Sequence, residues 1–186
     1  MVKRFLSAYL KHARMYATQG VVLKKTAAGE ANALITLYTQ EYGKIQVFAQ
    51  GVRKEKAKLR GHVEPLSLGF FQFVSGTYGE RLTYAAMVRS WMGIRNDFQK
   101  YGVACYMLAV VDAHCLDGEK DNGIWTVLVD HLVALEDGDF PSLLCFLSSF
   151  ETSLLACLGY QGVGKMSHLE STIARPFSIV YNGEGV

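Results

Sequence analysis

Residues 51–65 concentrate the side chains with the clearest chemical potential, and we call this stretch the basic segment. Between Gly51 and Gly61 it carries five cations and one acid, Glu55. The cations are Arg53, Lys54, Lys56, Lys58 and Arg60. Strand-like alternation precedes and follows the segment. Because Lys and Arg neutralise phosphates and release condensed counterions, a cationic loop between two strands predicts binding of a phosphate backbone. A solvated surface loop is the alternative interpretation.

The other chemically active residue types form no catalytic or metal-binding pattern. The cysteines are spaced by 10, 30 and 12 residues without a CxxC pair, and their apolar helical surroundings predict buried free thiols in a reducing cytoplasm; they are Cys105, Cys115, Cys145 and Cys157. The five histidines are scattered and suit helix surfaces better than a triad. The sequence of residues 159–166 nearly matches a phosphate-binding P-loop, but Met166 occupies the position where the motif needs Ser or Thr to hold magnesium. We therefore expect no enzyme, no cofactor and no metal site.

The charge distribution divides the chain into two halves. Residues 1–90 carry 14 Lys/Arg and five Asp/Glu, whereas residues 91–186 carry five Lys/Arg and 12 Asp/Glu. This indicates a first half suited to a polyanion and a second half that is not. With 50% apolar residues, the chain should fold around a substantial core. The longest strongly apolar run, 103–111, is far shorter than a membrane span, so no membrane partner is expected.

The first 14 residues contain four cations and no acid, with apolar residues near helical spacing. Three interpretations compete. A targeting peptide for an organelle has this composition, an additional amphipathic turn would explain it too, and so would an upstream start with the conventional one at Met15. The two simpler interpretations are favoured over targeting.

Period-2 alternation predicts five strands in the first half. They cover Tyr16–Lys25, Ala33–Thr39, Ile45–Gly51, Pro65–Val74 and Leu82–Val88. On the second strand, Ile35 and Leu37 should face away from Leu34, Thr36 and Tyr38. A turn with positive φ is expected at Gly43. Five short strands within about 75 residues favour a small closed barrel of the OB-fold type, which leaves few open edges.

Helical periodicity replaces alternation after Ser90. One helix should be capped at Asn96–Asp97 and end near Leu116, and a second covers Ile124–Leu135. A third should start near Pro141 and end at Gly159. The residues expected at helical spacing are Phe98, Tyr101, Cys105, Leu108 and Val111 or Asp112 on the first helix, and an apolar stripe of Leu143, Leu147, Phe150, Leu154 and Leu158 on the third. A last strand is assigned to Pro176–Tyr181.

The predicted fold class is therefore α+β, an N-terminal OB-fold barrel followed by a small helical domain. We divide the chain into an N-terminal extension (1–15), a nucleic-acid-binding barrel (16–90), a helical domain (91–160) and a C-terminal tail (161–186).

Ordered sequence signatures resemble the bacterial RecO recombination-repair family from about Tyr16 to Tyr160. They are Gly20–Leu23, Gly29–Glu30 leading to Leu34–Thr39, Tyr42–Lys44, the Gly51–Gly61 block with Glu64–Pro65, and Phe150–Glu151 continuing to Leu158–Tyr160. Each is weak alone, but their order and spacing make the resemblance specific.

The resemblance implies an OB-fold joined to a helical domain and a non-catalytic role in DNA-damage repair and recombination in the cytoplasm, at the nucleoid. It implies binding of single- and double-stranded DNA, strand annealing, and work with RecR to load RecA onto DNA coated by single-strand-binding protein. Two departures stand out. The chain lacks the four-cysteine zinc site of many members and is shorter after Tyr160. Only five cations lie beyond residue 90, which argues against contact with the acidic tail of single-strand-binding protein.

The expected DNA-binding residues are the five cations of the basic segment, extended by Lys24, Lys25 and Lys44. Candidate base-stacking residues are Tyr38, Tyr42, Phe48 and Tyr78, for which core or turn packing is an equally good explanation. No base-reading pattern is visible, so we expect binding without sequence preference. A scaffold for RecR or another partner, with little DNA binding, is the alternative function, and an RNA-binding OB protein is a third.

Overall fold

The computed structural model describes residues 14–76, 79–138 and 140–160. Its strands are β1 (Met15–Ala28), β2 (Asn32–Thr39), β3 (Gly43–Ala49), β4 (Leu68–Gly76) and β5 (Gly79–Arg89). Its helices are α1 (Met92–Asn96), α2 (Phe98–His114), α3 (Asn122–Asp137) and α4 (Leu143–Cys157). The strands close into a barrel in the order β1-β2-β3-β5-β4, with β4 paired to β1. The predicted fold class, an OB-type barrel followed by helices, is confirmed.

Most strand positions follow the alternation, and the differences have local causes. β1 runs on to Ala28 because it pairs with β4 through its first half and with β2 through its second, with a bulge between Val22 and Lys24. β4 begins at Leu68 rather than at Pro65. Leu66 takes a positive φ of 58° and cannot lie in a regular strand.

Two apolar cores organise the molecule. The barrel core includes Ile35, Leu37 and Val47, so the predicted separation of Ile35 and Leu37 from the other face of β2 is confirmed. The second core joins the helices to the outer surface of the barrel, where Val21 and Tyr38 are fully buried against them. The barrel and the helical part (residues 91–160) thus share an extensive apolar interface.

The helical part departs from prediction in three ways. A short helix, α1, was not predicted. The stripe assigned to α2 is right only in its second half: Leu108 and Val111 are buried, whereas Phe98, Tyr101 and Cys105 are exposed. α2 is apolar nearly all round, so periodicity could not identify its buried side. α4 begins at Leu143, two residues after Pro141, because the Ser142 hydroxyl caps it by accepting from the Cys145 amide at 3.2 Å.

Other predictions for this part are confirmed. Asp97 caps α2 by accepting from the amides of Gln99 and Lys100 at 2.9 and 3.0 Å. The α4 stripe is core, with Leu147 and Phe150 buried.

The cysteines are free, but Cys105 and Cys145 are exposed, contrary to expectation. Within the described ranges, no helix is both long and apolar enough to cross a membrane. The extension up to residue 13 and the tail from residue 161, including the strand assigned to 176–181, lie outside the described residues.

The β2–β3 turn docks the barrel onto the loop between α2 and α3. Gly43 adopts a φ of 64°, as predicted, and the Gly118 amide donates to the Lys44 carbonyl at 2.7 Å. A Cβ at position 43 would overlap the backbone carbonyl of Glu119. Glycine is therefore required here both for its conformation and for the close approach of two backbones.

Gly43→Ala should lower the free energy of unfolding by about 2–4 kcal/mol, since it combines an unfavourable φ with an overlap against backbone. Urea denaturation measures this directly. Gly29→Ala is the matched control. Gly29 has a φ of 74° but nothing within 4 Å of the added Cβ, so only conformational strain of about 1–2 kcal/mol is expected. Equal losses in the two variants would show that the close approach is unimportant.

Candidate nucleic-acid interface

The basic segment, residues 51–65, is folded rather than a free loop, and we also call it the strap. Val52 and Val63, at either side of the cations, are 1% and 0% exposed and belong to the barrel core. Between them the chain makes successive turns three residues apart. The amide of Lys54 donates to the carbonyl of Gly51, that of Ala57 to Lys54 and that of Arg60 to Ala57, each at 3.1 Å. Because both ends of the strap are buried in the core and the chain between them makes turns, the charged side chains must lie at the surface.

All five cations of the strap are exposed: Arg53, Lys54, Lys56, Lys58 and Arg60. Among the described residues, no carboxylate lies within 4.0 Å of any of them. Glu55, the one acid in the run, is exposed as well. The strap therefore presents a net positive surface whose charges are not neutralised by ion pairs.

The N-terminal end of the strap rests on the β1–β2 turn. The Asn32 side-chain oxygen accepts from the Gly51 amide at 2.8 Å. The Arg53 amide donates to the Ala31 carbonyl at 2.9 Å, and Arg53 Nη1 donates to the Gly29 carbonyl at 2.8 Å. Arg53 is thus held at one edge of the array while its charge stays exposed.

Lys25 belongs to the C-terminal anchor of the strap. Its Nζ lies 2.6 Å from Glu64 Oε1, and the Lys25 side chain is 17% exposed. The Glu64 carbonyl accepts from the Ser67 hydroxyl at 2.5 Å, and the Val22 amide donates to the Ser67 carbonyl at 2.9 Å. This ion pair ties the strap to β1, so we leave Lys25 out of the free cationic surface.

Lys44 lies at the junction with the helical part, apart from the strap. Its Nζ donates to the Asp112 carbonyl at 2.6 Å and lies 3.3 Å from Asp117 Oδ1, with the side chain 12% exposed. Nearby, burial raises the pKa of the Cys115 thiol to about 11, with Lys44 opposing the shift. Lys44 is therefore a structural cation of the junction, and its predicted contact with DNA stays a prediction that this engagement does not favour.

Lys24 and Phe48 lie on the part of the barrel surface that the helices leave open. Lys24 is exposed on β1 opposite Thr36. Phe48 is partly exposed on β3, opposite Leu34 on β2 and Arg81 on β5. Phe48 thus has an aliphatic neighbour on one side and an exposed guanidinium on the other.

The remaining candidate aromatic residues are differently placed. Tyr38 is 0% exposed, and its hydroxyl donates to the Asp121 carbonyl at 3.3 Å, so no ring face is left for a base. Burial also raises the pKa of that hydroxyl. Tyr42 packs against Tyr16 and Phe73 with ring centres 5.4 and 5.8 Å apart, as part of an aromatic cluster. Tyr78 lies outside the described residues.

Arg81 is the residue that sequence reasoning missed. The parallel pairing of β3 with β5 brings it beside Phe48, across a long sequence separation. No local pattern signals this approach, since alternation gives the face of each strand but not its neighbour.

As for metals, the described residues contain no group of three or more His, Cys, Asp or Glu able to hold an ion.

Two family models match the chain. The one described as Recombination protein O N terminal covers residues 14–91, and the one described as Recombination protein O C terminal covers residues 95–162. Their boundary falls between the barrel and the helical part.

Curated proteins named DNA repair protein RecO are similar to the chain. The one from Pelotomaculum thermopropionicum is 29% identical over 164 residues, which are 88% of this chain and 63% of that protein. The one from Dehalococcoides mccartyi strain CBDB1 is 32% identical over 146 residues, 78% of this chain and 57% of that protein. The one from Bacillus pumilus is 30% identical over 142 residues, 76% and 55% respectively. The chain thus spans little more than half the length of these relatives.

Lys44→Gln should lower the free energy of unfolding by about 1.5–3 kcal/mol, because it removes a charged hydrogen bond from a mostly buried junction. Lys24→Gln, which removes an exposed cation from the same barrel, should change it by less than about 0.5 kcal/mol. Urea denaturation of both variants gives the comparison. A Lys44 variant as stable as the parent would contradict the structural role assigned to this residue.

Proposed function

Because the chain belongs to the RecO family of DNA repair proteins, we propose that it binds single- and double-stranded DNA without sequence preference and anneals complementary strands. In this role it mediates homologous recombination and assists recombinase loading together with RecR. It performs no catalytic step in this proposal.

The observation that carries the proposal is the array of five exposed cations on the strap between Val52 and Val63, none of which forms an ion pair with a described carboxylate. Each phosphate that the array neutralises releases condensed counterions, a gain that is independent of base identity. Lys24 and Arg81, both exposed on the barrel, would extend the same field. Lys25 and Lys44 contribute to architecture instead.

Annealing follows from the same electrostatics. Two complementary strands repel each other through their phosphates, and a cationic surface that holds both backbones reduces this repulsion. Because the contacts are to phosphates, the base edges stay free to pair.

A base can also stack on Phe48, whose ring is partly exposed between Leu34 and Arg81. Stacking on an aromatic ring tolerates any base, and the neighbouring guanidinium can add phosphate or cation–π contact. Such stacking requires an unpaired base, so this residue would favour single strands over duplex.

Contact with the acidic tail of single-strand-binding protein has weak support. Two cations of the described helical part are already engaged, Arg95 with three backbone carbonyls and Lys100 with the Glu136 carbonyl at 3.3 Å. RecR remains the better-supported protein partner, on family membership alone.

Replacing Lys54, Lys56 and Lys58 by Gln should flatten the salt dependence of single-strand binding. Five phosphate contacts give a slope of log affinity against log salt of about −3.5, and losing three should raise it to about −1.5. Fluorescence anisotropy titrations at several salt concentrations measure the slope. Reversing the same three charges to Glu should abolish annealing of complementary oligonucleotides while leaving the thermal unfolding transition in place.

Lys56→Gln and Lys120→Gln form a matched pair of single changes. Both lysines are exposed, but Lys120 lies in the acidic helical part, so only the Lys56 change should reduce the slope, by about 0.7. Weak binding in the parent that loss of the strap leaves unaltered would refute the DNA proposal and favour the scaffold role. A stronger affinity for RNA than for DNA would favour the RNA-binding alternative.

Phe48→Ala should weaken binding of single-stranded DNA by about 1–3 kcal/mol and leave duplex binding nearly unchanged, because only unpaired bases can stack. Parallel titrations with the two DNA forms test this. Tyr84→Ala, which removes an exposed aromatic ring elsewhere on β5, is the control and should affect neither. An equal loss for both DNA forms at Phe48 would rule out stacking.

A further inference from the structure

Arg95 connects the helical part to the C-terminal end of the basic segment. From α1, its Nη2 donates to the carbonyls of Pro65 and Leu66 at 2.6 and 2.8 Å. Its Nε donates to the Ser90 carbonyl at 2.7 Å. Pro65 is the last residue of the basic segment, so a single guanidinium joins that segment to a helix. Hydrogen bonds from a charged donor such as this are stronger than neutral ones.

The helix that carries Arg95 is itself held by α3. Both oxygens of the Glu136 carboxylate are used, accepting from the amides of Gly93 and Ile94 at 2.9 and 2.8 Å. Ile94 is fully buried in the core shared by the barrel and the helices. The backbone at Arg95 is thus fixed in position by contacts that do not involve its guanidinium.

Two buried residues in a left-handed conformation lie at the ends of this connection. Leu66 has a φ of 58° and Trp91 a φ of 54°, and each is 1% exposed. The Leu66 carbonyl accepts from Arg95 Nη2, and the Trp91 carbonyl accepts from the Arg95 amide at 3.0 Å. Non-glycine residues keep a left-handed conformation only where the surrounding structure stabilises it. Arg95 is one of the groups that hold both.

The two ends of the basic segment are therefore anchored differently. The N-terminal end bonds to barrel residues of the β1–β2 turn, Asn32, Ala31 and Gly29. The C-terminal end bonds to the barrel through Lys25 and Val22, and also to α1 through Arg95. Among the hydrogen bonds of the described residues, those of this second end link the cationic array to the helical part.

We infer that Arg95 is a positioning residue for DNA binding: it fixes the C-terminal end of the basic segment so that the cations present one preformed array. This inference rests on the proposed function. A preformed array binds a polyanion more tightly than a mobile one, because less conformational freedom is lost on binding. Arg95 would act through the strap and not by touching DNA.

The test uses Arg95→Lys, which keeps the charge but replaces the planar fork that donates to several carbonyls. Amide hydrogen exchange of residues 54–62 should accelerate by about tenfold or more, because the charged hydrogen bonds that restrain local opening are lost. Exchange in β2 and α3 should stay as in the parent. Affinity for single-stranded DNA should fall by about threefold or more while the salt slope is unchanged, since no cation is removed.

Arg89→Lys is the matched control. Arg89 is exposed with its guanidinium 4.9 Å from the centre of the Trp91 ring. It therefore lies near Arg95 but is not among the residues hydrogen-bonded to the strap. It should leave exchange and affinity unaltered. If Arg95→Lys fails to fold, Glu136→Gln takes its place; it keeps Arg95 but weakens the hold on α1, and it should change exchange and affinity in the same directions.

Parent-like exchange in residues 54–62 of Arg95→Lys would overturn the inference, and so would faster exchange with parent-like DNA affinity. Failure of the proposed function has a different signature. The unmodified protein would then bind single-stranded DNA without a salt slope, and the positioning role would fall with it even if the exchange result were as expected.

Discussion

The burial of Val52 and Val63 in the barrel core is the interaction on which the charged surface depends. Burying a valine side chain contributes about 1.5–3 kcal/mol, enough to hold each end of a short segment in place. The residues between the two valines must then run over the barrel surface, and their regular turns leave the long cationic side chains pointing to solvent. A cationic array thus arises mainly from apolar packing, with the Lys25–Glu64 ion pair as a further anchor at its C-terminal end.

The shared core determines which part of the barrel is available to a ligand. Val21 and Tyr38 are covered by the helices, and Lys44 is engaged in an ion pair at the junction with the α2–α3 loop. At the other end of β2 and β3, Leu34 and Phe48 remain partly exposed. The open end of the barrel is also the end on which the strap rests. Charge and an accessible aromatic ring are therefore concentrated on one side of the molecule.

Much of the fold could be predicted because its patterns are local. Alternation located all five strands, and the Asp97 cap and the α4 stripe were correctly identified. The errors occurred where tertiary contacts decide. α2 is apolar nearly all round, so its buried face depends on which neighbours it meets. The bulge in β1 and the positive φ of Leu66 reflect pairing and packing that no short sequence window contains.

The same distinction applies to the candidate site. The cations of the strap could be recognised because they lie within eight residues of each other in the sequence, from Arg53 to Arg60. The engagement of Lys25 by Glu64, 39 residues away, and of Lys44 by Asp112, 68 residues away, could not be read from spacing. Nor could the approach of Arg81 to Phe48.

The most direct test of the central electrostatic proposal is acetylation footprinting of lysines with and without saturating single-stranded DNA, read by mass spectrometry. Protection of Lys54, Lys56 and Lys58 with unchanged labelling of Lys120 is the predicted result. Equal labelling of those three lysines in the free and the DNA-bound protein would contradict it.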